Sequence, residues 1–452
     1  MIEEILALLE NKEFVKLRST LSEMNAPDIA IMFDEVPEEY ILRLFRLLPK
    51  ELAAETFVEM DPDTQEHLIQ RFSDKELHDV LDEMFVDDTV DVIEEMPANV
   101  VKRILKASDP QTRSEINKIL NYPKDSAGSI MTIEYVDLKA HMTVAEAFAR
   151  IRKTGVDKET VYTCYVTDQN RHLIGITTVK DLLLNDYETK IGDMMETNVI
   201  YVDTAEDKEE VSNLFGKYDF LAMPVVDKET RLVGIITFDD VIDVIQEEHT
   251  EDIEKMAAIL PSEKPYLKTS SFEIFKNRIP WLMLLMLSST FTQKIISSFE
   301  ATLATCVALT AFIPMLMGTG GNSGGQASVT IIRGLSLGDV EMKDILKILW
   351  KELSVSLLCG IALAIVNFGK MMLIDQGAII ASGQNPVTVA LVVSLTLLMT
   401  VVCAKLVGCS LPILVKRLGF DPAVTASPFV TTIVDAISLL IYFVIAMQFL
   451  NF

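Results

Sequence analysis

Five long apolar stretches in the second half of the chain limit most strongly what it can fold into. They lie at roughly 279–298, 301–332, 353–373, 386–412 and 424–448 of the 452 residues. Each approaches or exceeds the ~20 apolar residues that a helix needs to cross a lipid bilayer. Because lipid offers no hydrogen bonds to an open backbone, single spans of this length are helical. The sequence therefore predicts a transmembrane domain of five helices over residues 276–452.

The two parts of the chain differ sharply in charge. Residues 1–275 hold 58 Asp and Glu against 29 Lys and Arg, a net charge of −29, while residues 276–452 hold 8 against 11. An acidic part of this size argues against nucleic acid and anionic lipid surfaces as partners. Two interpretations are open: the acids bind cations, or they only keep the N-terminal part soluble.

Two sequence signals predict how the chain crosses the membrane. The N-terminus, MIEEILALLENKEF, lacks the basic flank and the long apolar core of a signal peptide. Lysines and arginines collect after the second and fourth apolar stretches, for example at Lys347 and Arg417. Since basic loops stay in the cytoplasm, we predict a multi-pass protein of the plasma (inner) membrane with a cytoplasmic N-terminus and an outside C-terminus.

Asp435 is the one acidic residue inside the predicted spans, in the sequence TTIVDA. A carboxylate at the centre of a membrane helix costs about 2.5–3.5 kcal/mol, so its presence needs a reason. One interpretation is a buried, hydrogen-bonded Asp that holds two helices together. The other is a cation site, to which Thr431 and Thr432, one turn earlier, would add oxygens.

The second apolar stretch contains PMLMGTGGNSGGQAS, with five glycines between Pro314 and Ser328. It is either a packing seam of small residues or a lining of neutral oxygens and exposed backbone around Gly321, Asn322 and Gln326. Counting from the cytoplasmic helix ends puts Asn322 and Asp435 at a similar depth of ~16 Å. Oxygens without histidine favour Mg²⁺ or Ca²⁺ over Zn²⁺ or Cu⁺, and one Asp per chain suggests a two-fold dimer.

Residues 129–248 contain a duplication. The segments His172–Asp186 and Arg231–Ile245 match at an offset of 59 residues, each with a strand followed by T-x-x-D at the start of a helix. The pattern resembles a tandem pair of cystathionine-beta-synthase (CBS) domains, here 129–190 and 191–248. In such domains the T-x-x-D Asp can bind the ribose of adenine nucleotides. The alternative is that both Asps only cap helices.

The remaining soluble segments are predicted to be helical. Residues 1–128 show turn signals every 12–13 positions around short amphipathic stretches, which is typical of a stacked helical array. Within it, Asp87 and Asp91 are four residues apart and would lie on one helical face. The acid-rich segment 249–275 is predicted to be a helix that connects the CBS pair to the first span.

Taken together, the chain resembles the MgtE family of magnesium channels over essentially its full length. The motifs YPKDSAGSIMT, TEDIEKM, GTGGNSGGQAS and TTIVDA occur in the family's order. The resemblance implies an all-α superhelical N-terminal domain, α/β tandem CBS domains, a connecting (plug) helix and a five-helix transmembrane domain. It also implies a homodimeric, Mg²⁺-selective channel for magnesium uptake that closes when Mg²⁺ binds to the cytosolic domains, and no enzymatic activity.

The resemblance further implies roles for individual residues. The ion in the pore would bind Asp435 and the carbonyl of Thr431, with Gly321, Asn322 and Gln326 lining the pore. Nucleotide binding, with ATP as a regulator, would use Thr178, Asp181 and Phe220. Mg²⁺ sensing carries over to Glu55, Asp87, Asp91, the carbonyl of Gly128, Glu209, Asp219, Asp240, Asp243, Glu248, Glu251 and Asp252.

Two other function classes are less well supported by the sequence. An ion-coupled secondary transporter of another divalent cation such as Co²⁺ or Mn²⁺, regulated by nucleotide, would need a second coupling site, and the predicted spans hold one acid. An intramembrane enzyme would need a constellation such as paired Asp residues or H-E-x-x-H, and the spans contain neither.

Overall fold

The computed structural model describes residues 2–262, 264, 266–305, 307–381, 383–425 and 427–449. It divides into two compact units, Met1–Ile245 and Gln246–Phe452, referred to below as the N-terminal and C-terminal units.

The N-terminal unit begins with ten short helices. Turn residues start several of them: the side chains of Asp61 and Asp109 accept from backbone N–H groups, and Ser73 forms a capping box. Alternate helices pack on each other, and their apolar faces form one continuous core. The helices are α1 (Ile2–Glu10), α2 (Phe14–Ser22), α3 (Ala26–Glu35), α4 (Glu38–Phe45), α5 (Lys50–Val58), α6 (Pro62–Arg71), α7 (Asp74–Leu81), α8 (Val86–Glu95), α9 (Ala98–Ala107) and α10 (Pro110–Ile119).

Two three-stranded sheets follow, ordered β1-β2-β3 and β4-β5-β6. In each, the first two strands are parallel and the last two antiparallel. The first copy comprises β1 (Asp137–Leu138), α11 (Val144–Thr154), β2 (Thr163–Thr167), β3 (Leu173–Thr178) and α12 (Val179–Leu184). The second comprises α13 (Ile191–Met194), β4 (Val202–Asp203), α14 (Lys208–Tyr218), β5 (Ala222–Val226), β6 (Leu232–Thr237) and α15 (Phe238–Met256).

The duplication is visible as a local two-fold relation between the sheets. Leu173 donates its N–H to the carbonyl of Thr230 (3.1 Å), and Leu232 donates to the carbonyl of Arg171 (2.9 Å). Both pairs are related by the offset of 59 residues that the sequence shows. Equivalent residues therefore meet at the point where the two copies join.

In each copy, the segment before the first strand pairs with the last strand of the other copy. Thr132 pairs with Ile235 of β6, and Glu196 pairs with Ile176 of β3. A Cβ on Gly234 would lie 2.7 Å from the carbonyl oxygen of Thr132, so this pairing requires a glycine there. The predicted boundary at residue 129 differs from this arrangement, because residues 127–131 pack into the core of the second copy.

The C-terminal unit is a helical bundle. Its helices are α16 (Ser271–Ser298), α17 (Glu300–Thr305), α18 (Ile313–Ser336), α19 (Ile345–Lys370), α20 (Gln376–Ala381), α21 (Pro386–Arg417) and α22 (Ser427–Phe449). Within the described residues, four helices are long and apolar enough to cross a membrane: Ser271–Ser298, Met342–Ala381, Pro386–Arg417 and Pro428–Phe449. The glycine-rich α18 is long enough as well, and it packs against α21 and α22.

Two predicted helices differ from the structure. The stretch 301–332 is not one span: α17 ends at Thr305, a 3-10 turn covers Val307–Phe312, and α18 begins at Ile313 with Pro314 in its first turn. The connecting helix predicted for 249–275 ends at Met256. Ala258 adopts a left-handed φ of 55° directly after it, and Pro261 follows, so the chain leaves the helical path there.

Candidate cation sites

Asp435 lies on α22, which packs against α16, α18 and α21. Its side chain is half-buried, and its Oδ1 atom is buried with no hydrogen-bond donor in the described part of the chain. A buried carboxylate oxygen without a donor is unfavourable, since it has lost water and gained no partner. This oxygen is therefore available to a cation.

The glycines of α18 bring that helix close to α22. A Cβ on Gly321 would lie 2.7 Å from Cγ2 of Thr431, and a Cβ on Gly324 would lie 2.8 Å from Cγ1 of Val430. The packing seam considered for these glycines is thus present. It places the backbone of α18 at the level of Thr431, one helical turn before Asp435.

Two polar side chains of α18 face away from the seam. Asn322 and Gln326 are exposed and lie one turn apart on the same side of the helix. Exposed amides on a membrane helix are costly against lipid, which favours contact with water or with another protein surface. The hydroxyl of Thr432 is directed elsewhere, because it donates to the carbonyl of Pro428 (3.0 Å).

The bundle contains a second buried carboxylate that the sequence analysis missed. Glu352 of α19 lies 3.8 Å from Nζ of Lys405 on α21, and the two side chains are only 14% and 8% exposed. Helix α19 begins before the predicted apolar stretch and so takes in Glu352. The expectation of a single acid in the spans is therefore wrong: Glu352 is paired with a cation, whereas Oδ1 of Asp435 has no hydrogen-bond donor among the described residues.

A group of acids gathers at the start of α8 in the N-terminal unit. We call Asp87, Asp88, Glu134, Glu159 and Asp240 the acidic cluster, because the charges of the other four all raise the pKa of the buried Asp87. Oε2 of Glu134 accepts the N–H of Val86 (3.2 Å) and the hydroxyl of Thr132 (3.0 Å). Asp87 is 7% exposed, and its Oδ1 has no donor among the described residues. The cluster thus joins the helical array to both CBS copies.

The cluster is short of positive charge. Burial, followed by the charges of neighbouring acids, raises the pKa of Asp88 to about 7 and that of Glu159 to about 8. Burial raises the pKa of Asp240 to about 6, and the pKa of Asp87 is raised well above its usual range by burial and then by Asp240. These carboxyl groups stay partly protonated near neutral pH unless a cation replaces the protons.

Among the described residues, no three His, Cys, Asp or Glu side chains surround one point closely enough to hold a metal ion together. The acidic cluster is therefore a set of neighbouring charges rather than a completed ligand shell. An ion there, or at Asp435, would need additional oxygens from water, neutral groups or a second chain.

The sequence identified part of the cluster. Asp87 and Asp240 were predicted and lie together, whereas Asp91 and Asp243, on the same helices, are exposed. Asp88 was not predicted, although it neighbours Asp87 in the chain. Glu134 and Glu159 lie outside the helices and strands, where no periodic pattern marks them.

Other predicted sensing residues are more scattered. Glu209 lies at the start of α14 and Asp219 directly after its end, so they are ~15 Å apart along the helix. Glu55 is exposed on α5. Gly128 has a packing reason to be glycine, because a Cβ there would lie 2.6 Å from Cγ of Tyr122.

The three predicted acids of the connector, Glu248, Glu251 and Asp252, lie on α15 within the C-terminal unit. Glu251 forms an ion pair with Lys255. Asp252 is half-buried, and its pKa is raised by burial and then by the charge of Asp421.

The predicted nucleotide residues have structural partners of their own. Oδ2 of Asp181 accepts the hydroxyl (2.6 Å) and the N–H (3.1 Å) of Thr178, which caps α12. Helix capping is therefore real at this T-x-x-D motif, as it is at Thr237 and Asp240. Phe220 is half-buried and stacks on Tyr218 with ring centroids 5.5 Å apart.

Known families match most of the chain. Residues 24–125 match the MgtE intracellular N domain, residues 127–187 and 191–247 match CBS domains, and residues 313–445 match the divalent cation transporter family MgtE. The resemblance inferred from four sequence motifs is confirmed, and so is the multidomain fold class.

Individual relatives are similar over full length. The magnesium transporter MgtE of Thermus thermophilus is 36% identical, with 95% of this chain and 94% of the relative covered. The MgtE of Bacillus subtilis is 33% identical, with 100% and 98% covered. A crystal structure of the cytosolic domain of the Mg²⁺ channel MgtE in complex with ATP is 35% identical and has a TM-score of 0.52, covering 54% of this chain and 100% of that one. The chain therefore belongs to the MgtE family of magnesium transporters, which are multi-pass membrane proteins and not enzymes.

Proposed function

We propose that this protein is a Mg²⁺-selective channel for magnesium uptake across the plasma membrane, with a pore between two copies of the chain and a gate that closes when Mg²⁺ binds to the cytosolic domains. Full-length similarity to proteins named magnesium transporters supports the transported ion. The N-terminal unit would lie in the cytoplasm and the C-terminus outside, as the distribution of basic loops predicts.

The observation that carries the proposal is Oδ1 of Asp435, which has no hydrogen-bond donor among the described residues and belongs to a helix packed against α18. Asp435 of each chain, with the carbonyl of Thr431 one turn earlier and the amides of Asn322 and Gln326 on the neighbouring α18, would supply oxygens only. Mg²⁺ prefers oxygen ligands and loses water reluctantly, so a site of low charge suits a largely hydrated ion. A second copy would bring a second Asp435 and would cover the exposed amides of α18.

The acidic cluster supports the gate. Its members come from α8, from the loops of the first CBS copy and from the start of α15. Without a cation they repel each other or hold protons; a divalent ion between them would stabilise one arrangement of the N-terminal unit. An ion that binds one state more tightly shifts the equilibrium toward that state. Transported Mg²⁺ would in this way limit its own entry.

Nucleotide regulation is proposed on a narrower basis. A relative's cytosolic domain was crystallised with ATP, and the T-x-x-D residue Asp181 is present here. Calorimetric titration of ATP into residues 1–250 tests it directly. Heat that disappears in the Phe220→Ala variant supports a base-stacking role, and no heat at millimolar ATP leaves Asp181 as a helix cap alone.

The proposed function is tested by flux into liposomes. We expect purified protein to carry Mg²⁺ down its own gradient with no H⁺ or Na⁺ gradient, and to stop when millimolar Mg²⁺ is present on the side of the N-terminal unit. A strict need for an H⁺ or Na⁺ gradient would instead identify the secondary transporter. The ion pairs of two other acids of the described bundle, Glu352 with Lys405 and Asp375 with Lys370, support the channel over a second coupling site.

A further inference from the structure

The end of α15 is fastened to the loop before α22 by a lysine. Nζ of Lys255 donates to Oδ2 of Asp421 (2.7 Å) and also forms an ion pair with Glu251. The Lys255 side chain is 23% exposed and that of Asp421 is 34% exposed, so both are partly shielded from water. All three residues belong to the C-terminal unit.

Asp421 also contacts the turn that leads into the next helix, α22. Its other carboxylate oxygen accepts the N–H of Ala423 (2.8 Å) and so caps the short 3-10 turn Pro422–Thr425 that leads into α22. Next to Lys255, Met256 packs against Ile332 of α18 and against Ala423. The end of α15 therefore contacts the turn that precedes the helix of Asp435, and the helix that carries Asn322.

Three acids lie around the ammonium of Lys255. Glu251, Asp252 and Asp421 surround it. The Lys255 ammonium forms ion pairs with both Glu251 and Asp421. A tethered ammonium here does what a bound cation does elsewhere: it neutralises neighbouring carboxylates and joins two segments.

We propose that Lys255 is a positioning residue that latches the end of α15 to Asp421, and so favours the closed channel without a bound ion at this point. The inference rests on the proposed Mg²⁺-dependent closure. With the latch in place, fewer ions are needed to hold α15, and closure occurs at a lower Mg²⁺ concentration. Breaking the ion pair between Lys255 and Asp421 would raise the Mg²⁺ concentration needed for closure and would leave flux through the open channel unchanged.

The test is a double variant that removes the link without changing the net charge, Lys255→Met with Asp421→Asn. A matched control removes the exposed ion pair between Lys264 and Glu273 (3.3 Å) in the following segment, as Lys264→Met with Glu273→Gln. We expect the Mg²⁺ concentration that halves flux to rise about three- to tenfold in the first variant. In the control this concentration should change by less than about twofold. The single variant Lys255→Arg should close at the wild-type Mg²⁺ concentration, because a guanidinium still pairs with the carboxylate.

A second measurement separates the latch from the gate. Hydrogen exchange of the amides in residues 251–257 of the full-length protein without Mg²⁺ should be faster in the double variant than in the wild type and the control. Unchanged exchange together with an unchanged closing concentration would overturn the latch. If the wild type does not close with Mg²⁺ while exchange still responds to the variant, the proposed gate fails and the latch stands.

Discussion

Asp435 and the acidic cluster both contain carboxyl groups that are shielded from water, but the surroundings of these groups differ. Asp435 is the acid of a membrane helix, where its Oδ1 has no hydrogen-bond donor among the described residues and Gly321 of α18 packs on Thr431 one turn earlier. The cluster places five acids around the start of α8, and their pKa values are raised by burial and by each other. The first has a low charge density and the second a high one.

This difference indicates different tasks. A single carboxylate attracts a hydrated dication without holding it tightly, which suits passage. Several neighbouring carboxylates gain much more from one divalent ion, because the ion removes their mutual repulsion, and this suits a switch. Substitutions at Asp435 should therefore change Mg²⁺ flux, and substitutions in the acidic cluster should change the Mg²⁺ concentration at which flux stops.

The largest effect is expected for Asp435→Asn. The variant keeps an oxygen but loses the charge that concentrates dications, so Mg²⁺ flux into liposomes should fall by about 10- to 1000-fold. Asp375→Asn is the matched control, since Asp375 is also an acid of the bundle but lies 3.2 Å from Lys370. Equal losses in both variants would mean that Asp435 is only one of several structural acids.

Next in size is the cluster variant Asp87→Asn with Asp240→Asn. It removes one buried and one half-buried carboxyl group, so the Mg²⁺ concentration that closes the channel should rise about tenfold while maximal flux is kept. The exposed residues of the same helices give a matched control, Asp91→Asn with Asp243→Asn, for which we expect less than about a threefold change. If the control shifts closure as much as the cluster variant, surface charge rather than the cluster senses Mg²⁺.

Helix packing around the lone carboxylate is tested by Gly408→Ala. A Cβ on Gly408 of α21 would overlap the carbonyl oxygen of Gly324 on α18. Overpacking of this kind costs about 1–3 kcal/mol, so the melting temperature in detergent should drop along with flux. Gly369→Ala is the control, because no atom of the described residues lies within 4 Å of a Cβ there. A Gly408→Ala protein as stable as wild type would show that the α18–α21 contact is looser than described.

The smallest effect is a pH dependence confined to the cluster. Asp88 and Glu159 have usual pKa values of 3.8 and 4.5 but about 7 and about 8 in the folded protein, so the folded state binds more protons between these values. Stability therefore falls as pH rises from about 4 to 8. The melting temperature of residues 1–250 without Mg²⁺ should drop by a few degrees over this range. Millimolar Mg²⁺ should restore it at pH 8, and a flat profile would contradict the burial of these acids.

Local patterns in the sequence located the features that depend on local structure. The repeated T-x-x-D motifs predicted both helix starts and the offset that relates the CBS copies, and the carboxylate in TTIVDA identified Asp435. Features made by distant segments were not visible. Glu134 joins the acidic cluster only because it folds onto the start of α8, and no spacing in the chain encodes that contact.

The errors have equally physical causes. Apolarity alone predicted one helix over 301–332, since it does not distinguish a continuous span from a short helix, a turn and a second helix; Pro314 was the available signal. Glu352 was placed outside a span because it is charged, although pairing with Lys405 lets α19 include it. In both cases a partner or a backbone constraint outweighed the average hydropathy of the stretch.

The exchange of segments between the CBS copies has a consequence for how the chain is made. Thr132 emerges from the ribosome about a hundred residues before its partner Ile235, an interval of about 5–20 s at ordinary rates of synthesis. During that time the second core lacks the strands on which residues 127–131 pack, and the first lacks the segment around Glu196. Neither copy contains all the segments that complete its own sheet, so we expect the pair to fold as one cooperative element. A chain interrupted between the two copies would present unpaired strand edges to chaperones and proteases.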